Sequence, residues 1–372
     1  MKASESNPNY PSKVREMTNY TIREIKKVCK DIGPRPSGEE NERKAQDYVA
    51  DSMSKVADSV VKEKFELHPK AFMGWVPLDV ILMTISIVLT LLSYFDVLPS
   101  ASTAFSVVSV VLTSLAIIFT FFEFLLYKKF LDPFFPKRET YNVVCTRKAA
   151  GETKRRIVFS GHIDSAYEWY FTHLGGGKLL TTMIALAFGA IAITLAASIV
   201  SFFDVPNGVR VTAIVVLFVC LIPILMCSMF VNWKLCVPGA NDNLTGVFAS
   251  MSVLRYMAAN DIRFENTEVV CVSMACEEAG LRGAKEYVKK HCGEDDVETV
   301  FVGTDTLRDF DDMGVYNKDM TGTVKLDKQA AAMVKHASDI AGYNLPYSSV
   351  FFGSSDAAAI QQGGMKAVAL AA

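Results

Sequence analysis

Charge is what this chain has least of. Asp, Glu, Lys and Arg make up 21% of its 372 residues, and the two signs nearly cancel, to a formal −2. Soluble globular domains carry about 25% charge. With a pI near 6.3 there is no basic field, which makes nucleic acid a poor partner. The eight cysteines, at 29, 145, 220, 227, 236, 271, 276 and 292, form no CxxC pair. That spacing argues against a thiolate zinc cage, and the thiols read as reduced and mostly buried. Histidine is scarce too, with five residues. The opening MKASESNPNYPSK has no apolar run and does not read as a secretory signal peptide.

The excess is apolar: 51% of the residues, with a mean hydropathy of +0.24. A disordered chain is excluded. Four stretches carry the surplus, Ala71–Phe95, Val97–Phe122, Leu179–Phe203 and Val211–Trp233. A spanning helix needs about 20 apolar residues. The last three stretches meet this outright, and the first does so with Asp79 in the interface beside Trp75 and Pro77. Core helices of a soluble protein would show a polar face, and these show none. The stretches pair into transmembrane hairpins at 71–127 and 179–233, with tips SYFDVLPS and SFFDVPNG whose Pro and Gly suit turns. Lys128, Lys129, Lys137, Arg138, Lys178 and Lys234 stand at the hairpin bases, while the tips offer only Arg210. By the positive-inside rule the tips face outward and the polar segments share the cytoplasmic side. Segments 1–70, 128–178 and 234–372 can therefore build one discontinuous domain. A transport path would need ionisable residues in the spans, and these spans hold almost none.

The polar segments alternate between helix and strand patterns. A helix is expected from about Ser12 to Ile32. A second helix runs to about Val56, with Ser37 and Glu40 spaced as a capping box at its start. Strands are expected at Val60–Leu67, Tyr141–Arg147, Arg156–Ser160, Glu268–Met274, Thr299–Gly303 and Lys366–Ala371. Helices fall at Leu244–Ala259, Leu281–His291 and Gln329–Ala341. Glu268–Met274 is almost purely apolar, the mark of a central strand. The alternation predicts an α/β fold, a doubly wound mixed sheet flanked by helices, with the four transmembrane helices inserted as two hairpins.

In such sheets, sites form beyond the carboxyl ends of strands. There the chain reads Gly161-His162-Ile163-Asp164, then Cys276-Glu277-Glu278, then Thr304-Asp305-Thr306, with Gly239-Ala240-Asn241-Asp242-Asn243 opening a helix. One imidazole and several carboxylates converge on one rim, where a cation must offset them. Mixed imidazole and carboxylate ligands suit zinc, and other divalent first-row metals too. Each residue also has a plainer role open to it. His162 could be a surface residue, Asp242 a helix N-cap, and Glu277 and Glu278 solvated acids complementing a helix dipole.

The order H-x-D, G-A-N-D-N, E-E-x-G and a later Asp resembles the co-catalytic zinc exopeptidases of the aminopeptidase Y and bacterial leucyl aminopeptidase type. GPRPSG near the start and GSSDAAAIQQGG near the end are similar to that family as well. The interval of 80 residues from His162 to Asp242 is long, and the second hairpin lies within it. The resemblance implies a metallo-aminopeptidase with two zinc ions and a peptide substrate. His162 and Asp305 would bind one metal, Asp242 would bridge to a second, and Glu278 would hold that second metal. Glu277 would be the general base that takes a proton from the attacking water, and Asp164 would orient His162. The family pattern ends in a further histidine after the strand that begins at Lys366, and none follows Asp356 here. We therefore expect the chain to be a shortened form of a longer protein, with the sixth ligand beyond Ala372. His336, inside a helix, and His173, after the YEWYF run, are poor substitutes. A carboxypeptidase or single-zinc cyclase variant of the same fold, or an inactive peptidase-like receptor or scaffold, are the alternatives. The presence of Glu277 and of all five acids favours the hydrolase. No sequence feature points to an oligomeric state.

Overall fold

Two apolar patterns sort the chain into two units. The computed structural model describes residues 10–350 and 352–372. One unit gathers the residues up to Pro69, then Pro136–Ala166 and Cys236–Ala372; the other gathers Lys70–Phe135 and Tyr167–Leu235. The helical unit thus takes in residues 128–135 and 167–178 as well as the two apolar hairpins.

In chain order the helices are α1 (Tyr10–Asp31), α2 (Glu40–Met53), α3 (Ala71–Tyr94), α4 (Ser102–Phe119), α5 (Tyr170–Val200), α6 (Asn207–Met226), α7 (Leu244–Ala259), α8 (Arg282–His291), α9 (Lys328–Ala341) and α10 (Asp356–Gln362). The strands are β1 (Ser59–Leu67), β2 (Arg138–Arg147), β3 (Arg155–His162), β4 (Tyr167–Trp169), β5 (Val231–Cys236), β6 (Thr267–Met274), β7 (Glu298–Asp305), β8 (Gly314–Asp319), β9 (Val324–Lys325), β10 (Tyr347–Ser349) and β11 (Lys366–Ala371).

The α/β unit is a mixed sheet ordered β1-β2-β6-β3-β7-β11-β8-β10, with β9 on β8. Its centre, β6-β3-β7-β11, is parallel. The apolar run of β6 explains its place: six of its eight residues are buried, so it has no face to give to water. It lies between β2 and β3, which follow each other in sequence but do not pair. β1 closes one edge, and its Lys62, Lys64 and Glu66 are exposed, which discourages pairing with another chain.

Helices cover both faces. Leu244, Val247, Phe248, Met251 and Leu254 recur at helical spacing along α7 and are buried with Val49, Met53, Val143 and Ile163. Each such side chain contributes roughly 1.5–3 kcal/mol by leaving water. Farther along the same face Ala330 and Ala331 of α9 pack with Val302, Val315 and Val368, and on the opposite face Tyr287 of α8 packs against Phe301 of β7, ring centroids 6.2 Å apart. Small residues are needed where α7 crosses the sheet. A Cβ on Gly161 would lie 2.3 Å from the Val247 nitrogen, and one on Gly246 would lie 2.2 Å from the Thr304 carbonyl oxygen.

The second unit holds four helices long and apolar enough to cross a membrane: Ala71–Tyr94, Pro99–Leu125, Tyr170–Val200 and Asn207–Met229. The third is broken at Gly175 and Gly176, whose backbone is not helical, so its apolar part begins only beyond them. Hydroxyl pairs tie the helices together: Ser86 to Thr113 at 2.6 Å, Thr90 to Ser198 at 2.8 Å, and Ser109 to Ser198 at 2.6 Å. In an apolar unit such side chains bond to one another across helices. Asp79, expected at an interface, is buried and accepts the Thr120 hydroxyl. Short strands β4 and β5 pair at the base of this unit.

One local expectation fails. The residue before α2 is Glu39, with no side-chain cap, so Ser37 and Glu40 form no capping box. The Ser37 hydroxyl bonds instead to Asp164, 2.7 Å away, and Glu42 takes the Gly38 N–H at 2.9 Å. The Ser37 proton goes to a buried carboxylate, a charge-assisted bond stronger than a neutral one.

Candidate metal centre

The three central strand ends bring the singled-out residues to one rim. His162 is the last residue of β3, Asp305 the last of β7, and Glu277 and Glu278 follow β6. After β6 the chain passes through Cys276, whose φ of 56° is left-handed. That bend, costing roughly 1–2 kcal/mol for a residue with a Cβ, turns the two glutamates off the strand line. Asp242 comes from the loop before α7. It is not the cap of that helix: Asn243 is, accepting the Gly246 N–H at 2.9 Å. Asn243 also donates to the Thr304 carbonyl at 2.9 Å, and the Thr245 hydroxyl accepts the Leu307 N–H at 3.0 Å. These bonds tie the Asp242 loop to the end of β7.

His162 is 2% exposed. Its Nε2 lies 2.9 Å from Asp242, 3.8 Å from Glu277 and 3.9 Å from Asp305. Ligand atoms of His162, Asp242 and Asp305 all lie within 4.8 Å of one another, and so do those of His162, Glu277 and Glu278. His68, His173, His291 and His336 belong to neither group. One imidazole therefore serves both.

Asp164 stands behind the rim, fully buried. One oxygen is 3.4 Å from His162 Nδ1. Its closer partners are the Glu277 and Glu278 N–H groups, at 3.1 and 3.0 Å, and the Ser37 hydroxyl. It braces the glutamate loop at least as firmly as it orients the imidazole. Burial alone would raise its pKa, but the His162, Ser37 and Glu277 contacts hold it below the usual carboxylate range.

Three buried groups complete the frame, and the motif reading had not assigned them. Arg35 donates to the carbonyls of Ile163, Gly33, Pro238 and Gly239. Glu42 accepts from the Cys276 N–H and the Thr140 hydroxyl. Asp319 accepts from Ser354 and Ser355 beside buried Asp356. Arg35 and Asp356 did stand inside the two recognised motifs, GPRPSG and GSSDAAAIQQGG. Arg35 lies in a loop, and Glu42 and Asp319 are the single buried charges of α2 and β8, so no periodicity reveals them.

The charge state shows what the cluster lacks. Burial pushes Glu277 well above the usual range; His162 draws it back, and Glu278, Asp356 and Asp305 push it up again. Burial, then Asp242, raises Glu278 and carries Asp305 to about 8. Burial opposes charge on His162, yet Glu277, Asp164 and Asp242 raise its pKa well above 6.5. One Glu278 oxygen, one Asp305 oxygen and His162 Nδ1 are buried without hydrogen-bond partners. A divalent cation would give these carboxylates the positive charge they converge on, and a nitrogen-and-oxygen donor set suits zinc.

Residues 227–372 match the model of Peptidase family M28. No curated protein matches this chain. Solved structures share its fold. The Legionella pneumophila LapA aminopeptidase aligns with a TM-score of 0.50 and 11% identity, over 97% of this chain and 62% of that one. BSAP, a zinc aminopeptidase from Bacillus subtilis, aligns with 0.50 and 13%, over 95% and 84%. A glutaminyl cyclase from Porphyromonas gingivalis aligns with 0.51 and 10%, over 95% and 82%. The chain thus spans less than two thirds of LapA. At these identities the likeness defines a fold, the mixed α/β sheet flanked by helices.

Proposed function

We propose that this protein is a membrane-inserted, zinc-dependent exopeptidase, an aminopeptidase that removes N-terminal residues from peptides. The observation that carries the reading is the convergence of His162, Asp242 and Asp305 within 4.8 Å, with Glu277 3.8 Å from the same imidazole. The family match and the aminopeptidase neighbours support it. His162, Asp242 and Asp305 would hold one zinc; Asp242 and Glu278 would hold a second. Zinc, when bound, supplies Lewis-acid polarisation of a carbonyl and an acidified water. Glu277, next to Glu278 and 3.8 Å from His162, takes the proton of the attacking water and delivers it to the leaving amine. Asp164, through the Glu277 and Glu278 N–H groups, keeps both carboxylates aimed.

A groove of about 910 Å³ between α1 and α7 opens beside this rim, with Val14, Met17, Ile25, Val253 and Leu307 in its walls. Asn241 also lines it, next to Asp242. We assign it to an apolar part of the substrate, since its size and lining suit one. The four apolar helices anchor the enzyme in a bilayer, with the Lys- and Arg-rich hairpin bases and the peptidase unit on the cytoplasmic side.

A substrate panel tests the reaction. Release of the first residue from free peptides and aminoacyl anilides, with none from N-acetylated peptides, is the expected result. Ammonia release from an N-terminal glutaminyl peptide, as its α-amine displaces the side-chain amide nitrogen and the peptide bond stays intact, would favour the cyclase alternative. Release from the carboxyl end would mark a carboxypeptidase.

A further inference from the structure

Asp79 is the one charged residue of α3. It is 6% exposed; one carboxylate oxygen accepts the Thr120 hydroxyl at 2.7 Å, and the other is buried with no partner among the described residues. Four residues earlier, Trp75 is 9% exposed and its indole N–H is likewise buried with no partner among the described residues. Residues four apart share a helix face. Both line one cavity of about 60 Å³ whose other walls include Val80, Met83, Ile184 and Ala187. A buried donor and a buried acceptor left unsatisfied are each costly. An ionisable residue in an apolar helix bundle marks a functional site by default.

We propose that this cavity binds the hydroxyl end of a straight-chain alcohol. The lining poses one open acceptor and one open donor, and a hydroxyl answers both. An ammonium group has no acceptor for the indole N–H, and an ester, ketone or carboxylate has no donor for the open Asp79 oxygen. Size narrows the class further. One water needs about 10–15 Å³, so a single bridging water leaves most of the space empty, and an apolar remainder holds alkyl groups in preference to water. A cavity that takes benzene is about 150 Å³, so a sterol nucleus does not fit here. The first carbons of an unbranched chain do. The proposal rests on the membrane reading of the helical unit and is independent of the peptidase reading.

The test uses the full chain in detergent micelles and a decan-1-ol analogue carrying a photoreactive diazirine. Saturable labelling of the segments around Trp75–Met83 and Met183–Ala187 is expected. Unlabelled decan-1-ol should compete at about tenfold lower concentration than decane or decanoate, the loss that follows from unanswered hydrogen bonds at buried groups. Asp79→Leu and Trp75→Phe should each weaken labelling several-fold, and Ala187→Phe should abolish it by filling the space. Equal competition by decane, or labelling that does not saturate, would overturn the proposal in favour of water or unspecific partition. That comparison needs no variant, so a variant that fails to fold does not rescue the idea. A chain recovered without detergent would refute the membrane reading separately.

Discussion

Replacing Arg35 by Met probes the frame that holds the metal ligands. Arg35 is fully buried, and its guanidinium donates to Ile163 at 2.6 Å, Pro238 at 2.8 Å, Gly33 at 2.9 Å and Gly239 at 3.0 Å. One side chain thus ties the strand exit bearing His162 and Asp164 to the loop leading to Asp242. Methionine keeps the apolar stem and removes every donor. The bonds to Gly33 and Pro238 lie nearer the surface, where water can replace them; those to Ile163 and Gly239 are buried. Of those two, Gly239 keeps the Leu244 N–H at 3.3 Å, so the buried carbonyl left without its donor is that of Ile163, at about 1–3 kcal/mol. The loss falls in the lower half of that range, because burial also disfavours the Arg35 charge, lowering its pKa. Amide hydrogen exchange across residues 161–165 and 238–243 reads the effect directly. Protection should fall in these two segments while β6 stays protected, and zinc affinity should drop about 10–100-fold. Unchanged protection and unchanged zinc affinity would refute the clamp.

Other outcomes follow from single observations. Gly161→Ala would place a Cβ 2.3 Å from the Val247 nitrogen, which is backbone and cannot swing away, and should lower stability by about 1–3 kcal/mol in denaturant melts. His291 bonds Glu63 at 3.0 Å and Glu294 at 2.6 Å; burial opposes its charge, but these acids raise its pKa. Its contribution is therefore full below about pH 6.5, its unfolded pKa, and is lost as pH rises through the folded value. His291→Gln should remove that part of the pH dependence of the unfolding midpoint, and an unchanged profile would contradict the pairing. Val253→Arg, in the groove wall, should raise KM several-fold for apolar peptides and leave zinc content unchanged. Cys292 is an exposed free thiol of the α/β unit; an impermeant maleimide should miss it in intact cells and reach it after lysis, and labelling in intact cells would reverse the orientation.

Much of the fold was legible because burial leaves a period. Leu244–Ala259 has the bounds expected of it, and the apolar β6 lies inside the sheet. The stretches on either side of α9, 314–325 and 356–362, were less legible, while α9 itself starts one residue before its expected place. Gly314–Asp319 mixes polarity without alternation, and Asp356–Gln362 is only seven residues long, so pairing with β11 and packing decide their form. The same split runs through the site. His162, Asp242, Glu277, Glu278 and Asp305 stand just beyond strand ends or in the loop before a helix, where topology alone says to look. Arg35, Glu42 and Asp319 work through loop carbonyls, N–H groups and hydroxyls whose closeness only the folded chain creates. Ser37 was misread for the same reason: its spacing to Glu40 is local, and its real partner is 127 residues away.

The most direct test of the central claim is zinc content measured together with aminoacyl-anilide hydrolysis, in the detergent-purified chain and in Glu277→Gln. Zinc should be bound in both, and turnover should fall by about 10²–10⁴ in the variant, as loss of a general base requires. His162→Ala should lose zinc and activity together. A chain that binds no zinc, or a Glu277→Gln variant that hydrolyses at the unaltered rate, would contradict the account.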